Sequence, residues 1–256
     1  MSAYESFASV YDLFMRDINY DEWIKYIEKL WDNFNINPKL VCELGCGTGN
    51  ISLRLAKKGR DVIGIDISED MLSKARQKAE NEKLDVLFLH QDMCDFELYG
   101  TVDCILCLCD SLNYITEKDD ILTVFKLVNN YLHPNGVFIF DLNTEHKFKN
   151  IYSDNTFSEI TEDAAYIWEN YYDEDEQINE YYLNFFVKNH KGSYDRMEEE
   201  HYERAYSLDT IKALIEQSGL KFEAAYDAFS FDSSREDSER IYVVAREVQK
   251  EATING

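Results

Sequence analysis

The chain has 256 residues, 45% hydrophobic and 14% aromatic, enough apolar material for one α/β domain, alone or with a small accessory piece. A formal net charge of −24 argues against nucleic acid as a partner, because phosphate binding needs clustered Lys and Arg. No signal-like segment and no membrane-length apolar run is present, so the expected setting is cytoplasmic, with no membrane partner.

In chain order, residues 3–14 place Tyr4, Phe7, Ala8, Tyr11 and Phe14 at helical spacing, and a second helix is expected from about Asp21 to Phe34. Leu40–Asn50 reads L-V-C-E-L-G-C-G-T-G-N. It is a short buried strand ending in Glu43, then Gly45, Gly47 and Gly49 at alternate positions, then an amphipathic helix through Ile51, Leu53 and Leu55. Glycines there let the backbone adopt positive φ and admit a ligand to the main chain, and the helix end offers free N–H groups. A dinucleotide turn would read G-x-G-x-x-G. Here the spacing is G-x-G-x-G, and a carboxylate at Glu43 would repel a pyrophosphate but suit an ammonium or sulfonium cation. A second strand, Asp61–Asp66, ends in an acid 17 residues after Gly49, placed to accept from both ribose hydroxyls of a nucleoside. Ser68 caps the next helix, with Met71, Leu72 and Ala75 inward.

The third strand is Val86–His90, followed by Gln91-Asp92-Met93. The fourth is Val102–Leu108, whose tip carries Cys109, Asp110, Ser111, Asn113 and Tyr114. Polar groups at the carboxyl end of such a strand sit where ligands bind in open α/β sheets. A helix over 118–132, a turn at His133–Gly136 and a fifth strand, Val137–Leu142, follow. Ser153–Arg204 breaks the rhythm, with 11 aromatic, 15 acidic and 4 basic residues. Alternation over 165–171, 178–188 and 193–204, with a turn at Lys191-Gly192, predicts an inserted antiparallel sheet. Ser207 and Gly219 bracket a further helix. Leu220–Ala228 and Ile241–Glu247 complete a doubly wound, seven-stranded, mostly parallel α/β sheet. Cys42, Cys46, Cys94, Cys104, Cys107 and Cys109 read as small core hydrophobes, since no His/Cys spacing suits zinc and no metal site is expected.

The E-L-G-C-G-T-G turn resembles the first motif of the class I S-adenosylmethionine (SAM) methyltransferases. With the N-terminal helix, the C-D-S-L-N-Y tip and the R-A-Y-S segment, the likeness runs from about Tyr4 to Glu247. It is nearest to clostridial and bacillar small-molecule methyltransferases and, more distantly, amino-sugar N-methyltransferases. The resemblance implies SAM as cofactor, with S-adenosylhomocysteine as product. It implies a cofactor site of Tyr11, Glu43, Gly45, Cys46, Gly47, Gly49, Asp66, Ile67, Met71, Asp92, Met93, Cys109 and Asp110. In such enzymes the N-terminal segment is a lid that brings Tyr11 to the cofactor, and the third strand tip meets the adenine. Amino-sugar enzymes often carry His where Asn113 stands, and Asn cannot act as a base. Among the five histidines, His201 is the candidate base, with Tyr11, Asn113 and Arg240 as positioning groups. The expected organisation is a core of residues 1–152 and 205–248, a substrate-selecting cap over 153–204 and a disordered tail over 249–256. The expected partner is a small-molecule acceptor with an N or O nucleophile, the protein being a monomer or homodimer. A nicotinamide oxidoreductase and a non-catalytic SAM sensor are the rival readings.

Overall fold

The computed structural model describes residues 18–250, together with Ala8, Tyr11, Asp12 and residues 14–16. Tyr4 and Phe7, assigned above to the first helix, lie outside the described residues; Ala8, Tyr11, Asp12 and Phe14 are helical.

The helices and strands of the core are, in chain order, α1 (Tyr20–Asn33), β1 (Leu40–Leu44), α2 (Asn50–Lys57), β2 (Asp61–Asp66), α3 (Glu69–Glu82), β3 (Leu87–His90), β4 (Val102–Cys107), α4 (Lys118–Tyr131) and β5 (Leu132–Asn143). They alternate except between β3 and β4, which follow each other directly. A second set of strands, β6 (Thr156–Ile160), β7 (Ala164–Asp173), β8 (Ile178–Lys188) and β9 (Tyr194–Arg204), comes next. The core then resumes with α5 (Leu208–Gln217), β10 (Leu220–Asp227) and β11 (Arg240–Glu247).

Seven strands form the main sheet in the order β10-β11-β5-β4-β1-β2-β3. The pairs β1–β2, β1–β4, β2–β3 and β4–β5 are parallel, whereas β11 runs antiparallel to both β5 and β10. The central strands are buried on both faces, as parallel strands under helices must be. In β4, Ile105 and Cys107 face a layer with Ile121, Val124, Phe125 and Val128 of α4 and Ile211 and Ile215 of α5. Cys104 and Leu106 face the opposite layer, with Ile24, Ile27, Leu30 and Trp31 of α1 and Ile51 and Leu55 of α2. The chain leaves β1 toward β2 on one side and reaches β4 on the other. The crevice where the order reverses therefore lies between the carboxyl ends of β1 and β4, where open α/β sheets bind ligands.

Two local readings change. The turn expected at His133–Gly136 lies inside β5 as an irregularity: Val102 pairs with Leu132 and Cys104 with Val137, and Asn135 takes φ 64° in the excursion. Of the disordered tail expected over 249–256, Gln249 and Lys250 are bonded to the core, and residues 251–256 lie outside the described residues. The Gln249 and Lys250 N–H groups donate to Glu247 Oε1 at 2.6 and 2.7 Å. Lys250 Nζ donates to the carbonyls of Asn129, Asn130 and Leu132 at 2.6–2.7 Å, satisfying the open end of α4.

The second sheet is antiparallel, in the order β6-β7-β8-β9. Three of its strands match the alternating segments; β6 is an additional edge strand that the sequence pattern did not reveal. The period of two puts Trp168, Asn170 and Tyr172 of β7, Asn179, Tyr181 and Phe185 of β8, and His201 and Glu203 of β9 on one face, the face that meets the core.

Candidate active site

The turn after β1 is built as its glycines require. Gly45, Gly47 and Gly49 have φ of 68°, 53° and 78°, the left-handed region that favours glycine. A Cβ on Gly45 would lie 2.7 Å from Ser111 Oγ, whereas one on Gly47 would meet nothing within 4 Å among the described residues. The β1 turn is thus packed directly on the β4 tip at Gly45 and opens onto free space at Gly47. Asp66, at the tip of β2, accepts from Gly47 N–H at 2.7 Å through Oδ2 and from Ser68 N–H at 2.8 Å through Oδ1. Each oxygen keeps a second lone pair for a further donor, and burial raises the carboxyl above its usual range. Ile67 is 67% exposed and Met71 is half-buried. Asp92 is exposed after β3 and accepts from Cys94 N–H at 2.8 Å, with Met93 beside it, its Cε 3.4 Å from where a Gly45 Cβ would stand.

Glu43 is placed differently from the sequence expectation. It is 3% exposed, and its carboxyl accepts from the Ser52 hydroxyl, tying β1 to the first turn of α2. Burial raises it to about 8. It supports the turn from below and is not laid open beside it. Cys46 is likewise buried, its sulfur packed toward Gly64.

The N-terminal segment closes over this turn. Asp12 Oδ1 accepts from Thr48 Oγ1 at 2.7 Å and Asn50 Nδ2 at 3.2 Å, and Asp12 pairs with Lys78 at 2.7 Å. Burial raises the Tyr11 hydroxyl well above its usual range, and Tyr20, Cys109, Tyr114 and Asp110 lie close enough to raise it further. Phe14 packs its ring on Tyr166 and Phe185 of the second sheet, at centroid distances of 4.8 and 5.3 Å. The segment therefore bridges the glycine turn, the β4 tip and the second sheet. The sequence singled out Tyr11 on this segment; it did not single out the Asp12–Lys78 pair, whose members lie 66 positions apart.

At the β4 tip, Cys109 and Asp110 both adopt positive φ, 59° and 56°. Two consecutive non-glycine residues there are strained and must be held by their surroundings. Arg240 holds them. Its Nη2 pairs with Asp110 Oδ1 at 2.6 Å, and its Nη1 pairs with Asp141. Asp141 is fully buried and its Oδ2 also accepts from Asp110 N–H at 3.1 Å. The guanidinium lies 5.4 Å from the Trp23 ring centroid. Arg240 is thus the cation that locks β4, β5 and β11 together under the tip.

Asn113 is fully buried and its amide is fully engaged. Nδ2 donates to Asn143 O at 3.1 Å and Arg204 O at 2.8 Å, and Oδ1 accepts from Asn143 N–H at 3.0 Å. It clamps the end of β9 to the core. His201 stacks on Tyr181 at 5.0 Å and meets Tyr114 edge-on at 5.7 Å. Burial lowers it to about 4, so it is neutral at pH 7 and holds a proton poorly.

Sequence reasoning missed the group beside His201. Glu203 is 2% exposed and accepts from Tyr181 Oη at 2.8 Å. Tyr181 in turn bonds the Tyr114 hydroxyl at the β4 tip. Glu203 is one of 15 acids in the insert. Its only sequence signal is that it alternates in phase with His201.

Among the described residues, no helix is long and apolar enough to cross a membrane. The family described as "Methyltransferase domain" matches residues 41–136. The putative methyltransferase YqeM of Bacillus subtilis is 37% identical over 253 residues, 98% of each chain. The crystal structure of an S-adenosylmethionine-dependent methyltransferase from Clostridium acetobutylicum superposes with a TM-score of 0.86 at 31% identity, covering 96% of this chain and all of that one. The SAM-bound amino pentose methyltransferase CalS10 from Micromonospora echinaspora has a TM-score of 0.73 at 16% identity, covering 93% of this chain and 97% of that one, a likeness of fold alone.

Proposed function

Because the chain belongs to the SAM-dependent methyltransferases, we propose that it transfers the methyl group to a small-molecule acceptor through an N or O nucleophile, in the crevice between the β1 turn and the β4 tip. The observation that carries this reading is the open space at Gly47 beside Asp66, closed from above by Tyr11 and Asp12. The bound cofactor supplies a methyl already activated on a sulfonium sulfur, so the protein's task is alignment. Gly45, Cys46, Gly47 and Gly49 would shape the cradle and Asp66 would accept from the ribose hydroxyls. Asp92 and Met93 would flank the adenine, with Ile67 and Met71 as apolar neighbours. Tyr11, Cys109 and Asp110 would border the reacting end, and Glu43 would act by holding α2 to β1. The four-stranded sheet, residues 156–204, would select the acceptor as a cap, in keeping with the aromatic face it turns toward Tyr114. We assign the core to residues 1–152 and 205–248 and read the protein as a monomer or homodimer.

The test is calorimetry followed by turnover. SAM and S-adenosylhomocysteine should bind and NAD should not. Methyl-labelled SAM should pass its label to small acceptors with release of S-adenosylhomocysteine. Tight binding of SAM without release of product across a broad acceptor panel would favour a sensor.

A further inference from the structure

The face of the second sheet that meets the core carries a chain of three hydroxyl and carboxyl groups leading from the crevice into the protein. Tyr114, on the turn after β4, is 43% exposed, and its hydroxyl is joined to that of Tyr181. Tyr181 is buried and donates to Glu203 Oε1 at 2.8 Å. His201 covers both tyrosine rings, and Trp168 of β7 covers Tyr181 at 5.6 Å. The three groups come from three places in the chain, the turn after β4, β8 and β9. They are brought together because Asn113 pins the end of β9 next to Tyr114.

We propose that Tyr114, Tyr181 and Glu203 form a proton-accepting relay for methyl transfer, in which Tyr114 touches the acceptor and Tyr181 and Glu203 act through it. This rests on the methyltransferase reading of the crevice. As the acceptor's nucleophilic atom bonds to the methyl, the methyl–sulfur bond breaks with its electron pair left on the sulfur of S-adenosylhomocysteine, and the acceptor's proton passes to the Tyr114 oxygen. The Tyr114 proton moves to Tyr181, and the Tyr181 proton moves to Glu203, which ends as a neutral carboxylic acid. The proton leaves to solvent when product is released. The relay has a use only for an acceptor that carries a removable proton, a hydroxyl or a protonated amine. A carboxylate or thioether acceptor needs no such device.

Several groups face Glu203 and set its proton affinity. Burial acts first and Asp110 second, both raising it; the bonds from Tyr181 and Asn143 and the charge of Arg240 oppose them, and the balance lies well above the usual carboxylate range. Lys147, whose Nζ donates to Asn143 Oδ1 at 2.9 Å, stands near enough to interact with both Glu203 and Asp110, and Glu203 also acts on Tyr152. A carboxyl raised in this way is a stronger base than an exposed one, closer to the operating pH that general-base work favours. His201, lowered by burial, is the poorer proton store in the same place.

The experiment uses the full chain with 13C-labelled glutamate carboxyls, saturated with S-adenosylhomocysteine, titrated by NMR. Glu203→Gln identifies the Glu203 signal, and Glu43→Gln and Glu199→Gln identify the other two raised glutamates. Glu203 should titrate above the exposed glutamates, and Tyr181→Phe should raise it further by removing a bond to the ionised form. In turnover with methyl-labelled SAM, a panel of amines, phenols and carboxylic acids serves as acceptor. The kcat profile should rise through the Glu203 titration. Tyr114→Phe and Glu203→Gln should each lower kcat by about 100-fold and flatten that rise, leave SAM affinity unchanged, and Glu203→Asp should restore part of it. A Glu203 signal in the ordinary range, a signal unmoved in Tyr181→Phe, an unaltered profile in Glu203→Gln, or methylation of carboxylic acids alone would each overturn the relay. If no panel member is methylated, the titration decides. Failure of S-adenosylhomocysteine to bind overturns the cofactor reading instead, and the titration still reports on the three side chains.

Discussion

Replacing Asn113 by Ala should uncouple the second sheet from the core. The amide satisfies three backbone groups: the Asn143 carbonyl at 3.1 Å, the Arg204 carbonyl at 2.8 Å and the Asn143 N–H at 3.0 Å. Asn113 is fully buried and Asn143 is 2% exposed, so water does not replace the lost partner without rearrangement. A buried group left without its bond costs about 1–3 kcal/mol. Three such groups, partly relieved by local shifts, give a loss of roughly 3–6 kcal/mol, a large share of the ~5–15 kcal/mol that holds a domain folded. For a chain of this size the midpoint of thermal unfolding should fall by roughly 6–24 °C, at about 2–4 °C per kcal/mol. Urea unfolding followed by circular dichroism measures the loss directly. Hydrogen exchange should show protection falling further in Tyr194–Arg204 than in Val102–Cys107, since β4 keeps both neighbouring strands. A loss below about 1 kcal/mol, or equal loosening of β4 and β9, would refute the clamp.

Asp66→Ala should weaken SAM binding by about 2–4 kcal/mol if two ribose hydroxyls bond to the carboxylate, on the order of 30- to 1000-fold in Kd; an unchanged Kd by calorimetry in a folded variant would place the ribose elsewhere. Glu43→Gln tests the buried acid. The native carboxyl titrates at about 8 and the unfolded one at about 4.3, so between them the folded state holds a proton that the unfolded state has lost. The stability Glu43 contributes is therefore full below the unfolded value and declines as pH rises through this window. The Gln variant should gain on the wild type between these limits by at most about 1.4 kcal/mol per pH unit, as read from urea midpoints near both; a pH-independent difference would show that Glu43 does not carry this proton.

The core of this fold was written in local pattern. Apolar runs ending in Glu43, Asp66 and His90, and the helical spacing of Trp23, Ile27, Leu30 and Trp31, are short-range features, and each gave its strand or helix within a residue or two. The glycine turn was legible because positive φ at three positions restricts residue type. Contacts across the sequence were not legible. Asn113 and Arg240 looked like site residues because they are polar and stand at strand ends, yet their partners at Asn143, Arg204, Asp110 and Asp141 lie 30 to 130 positions away. Glu203 could not be told from the other acids of the insert, because alternation shows which residues share a face but not which part of that face is covered. That was decided only when β9 packed beside the β4 tip. Burial then altered the chemistry of the side chains themselves, weakening His201 as a base and raising Glu43 and Glu203, since the cost of holding charge depends on what surrounds it in space and not on its neighbours in the chain.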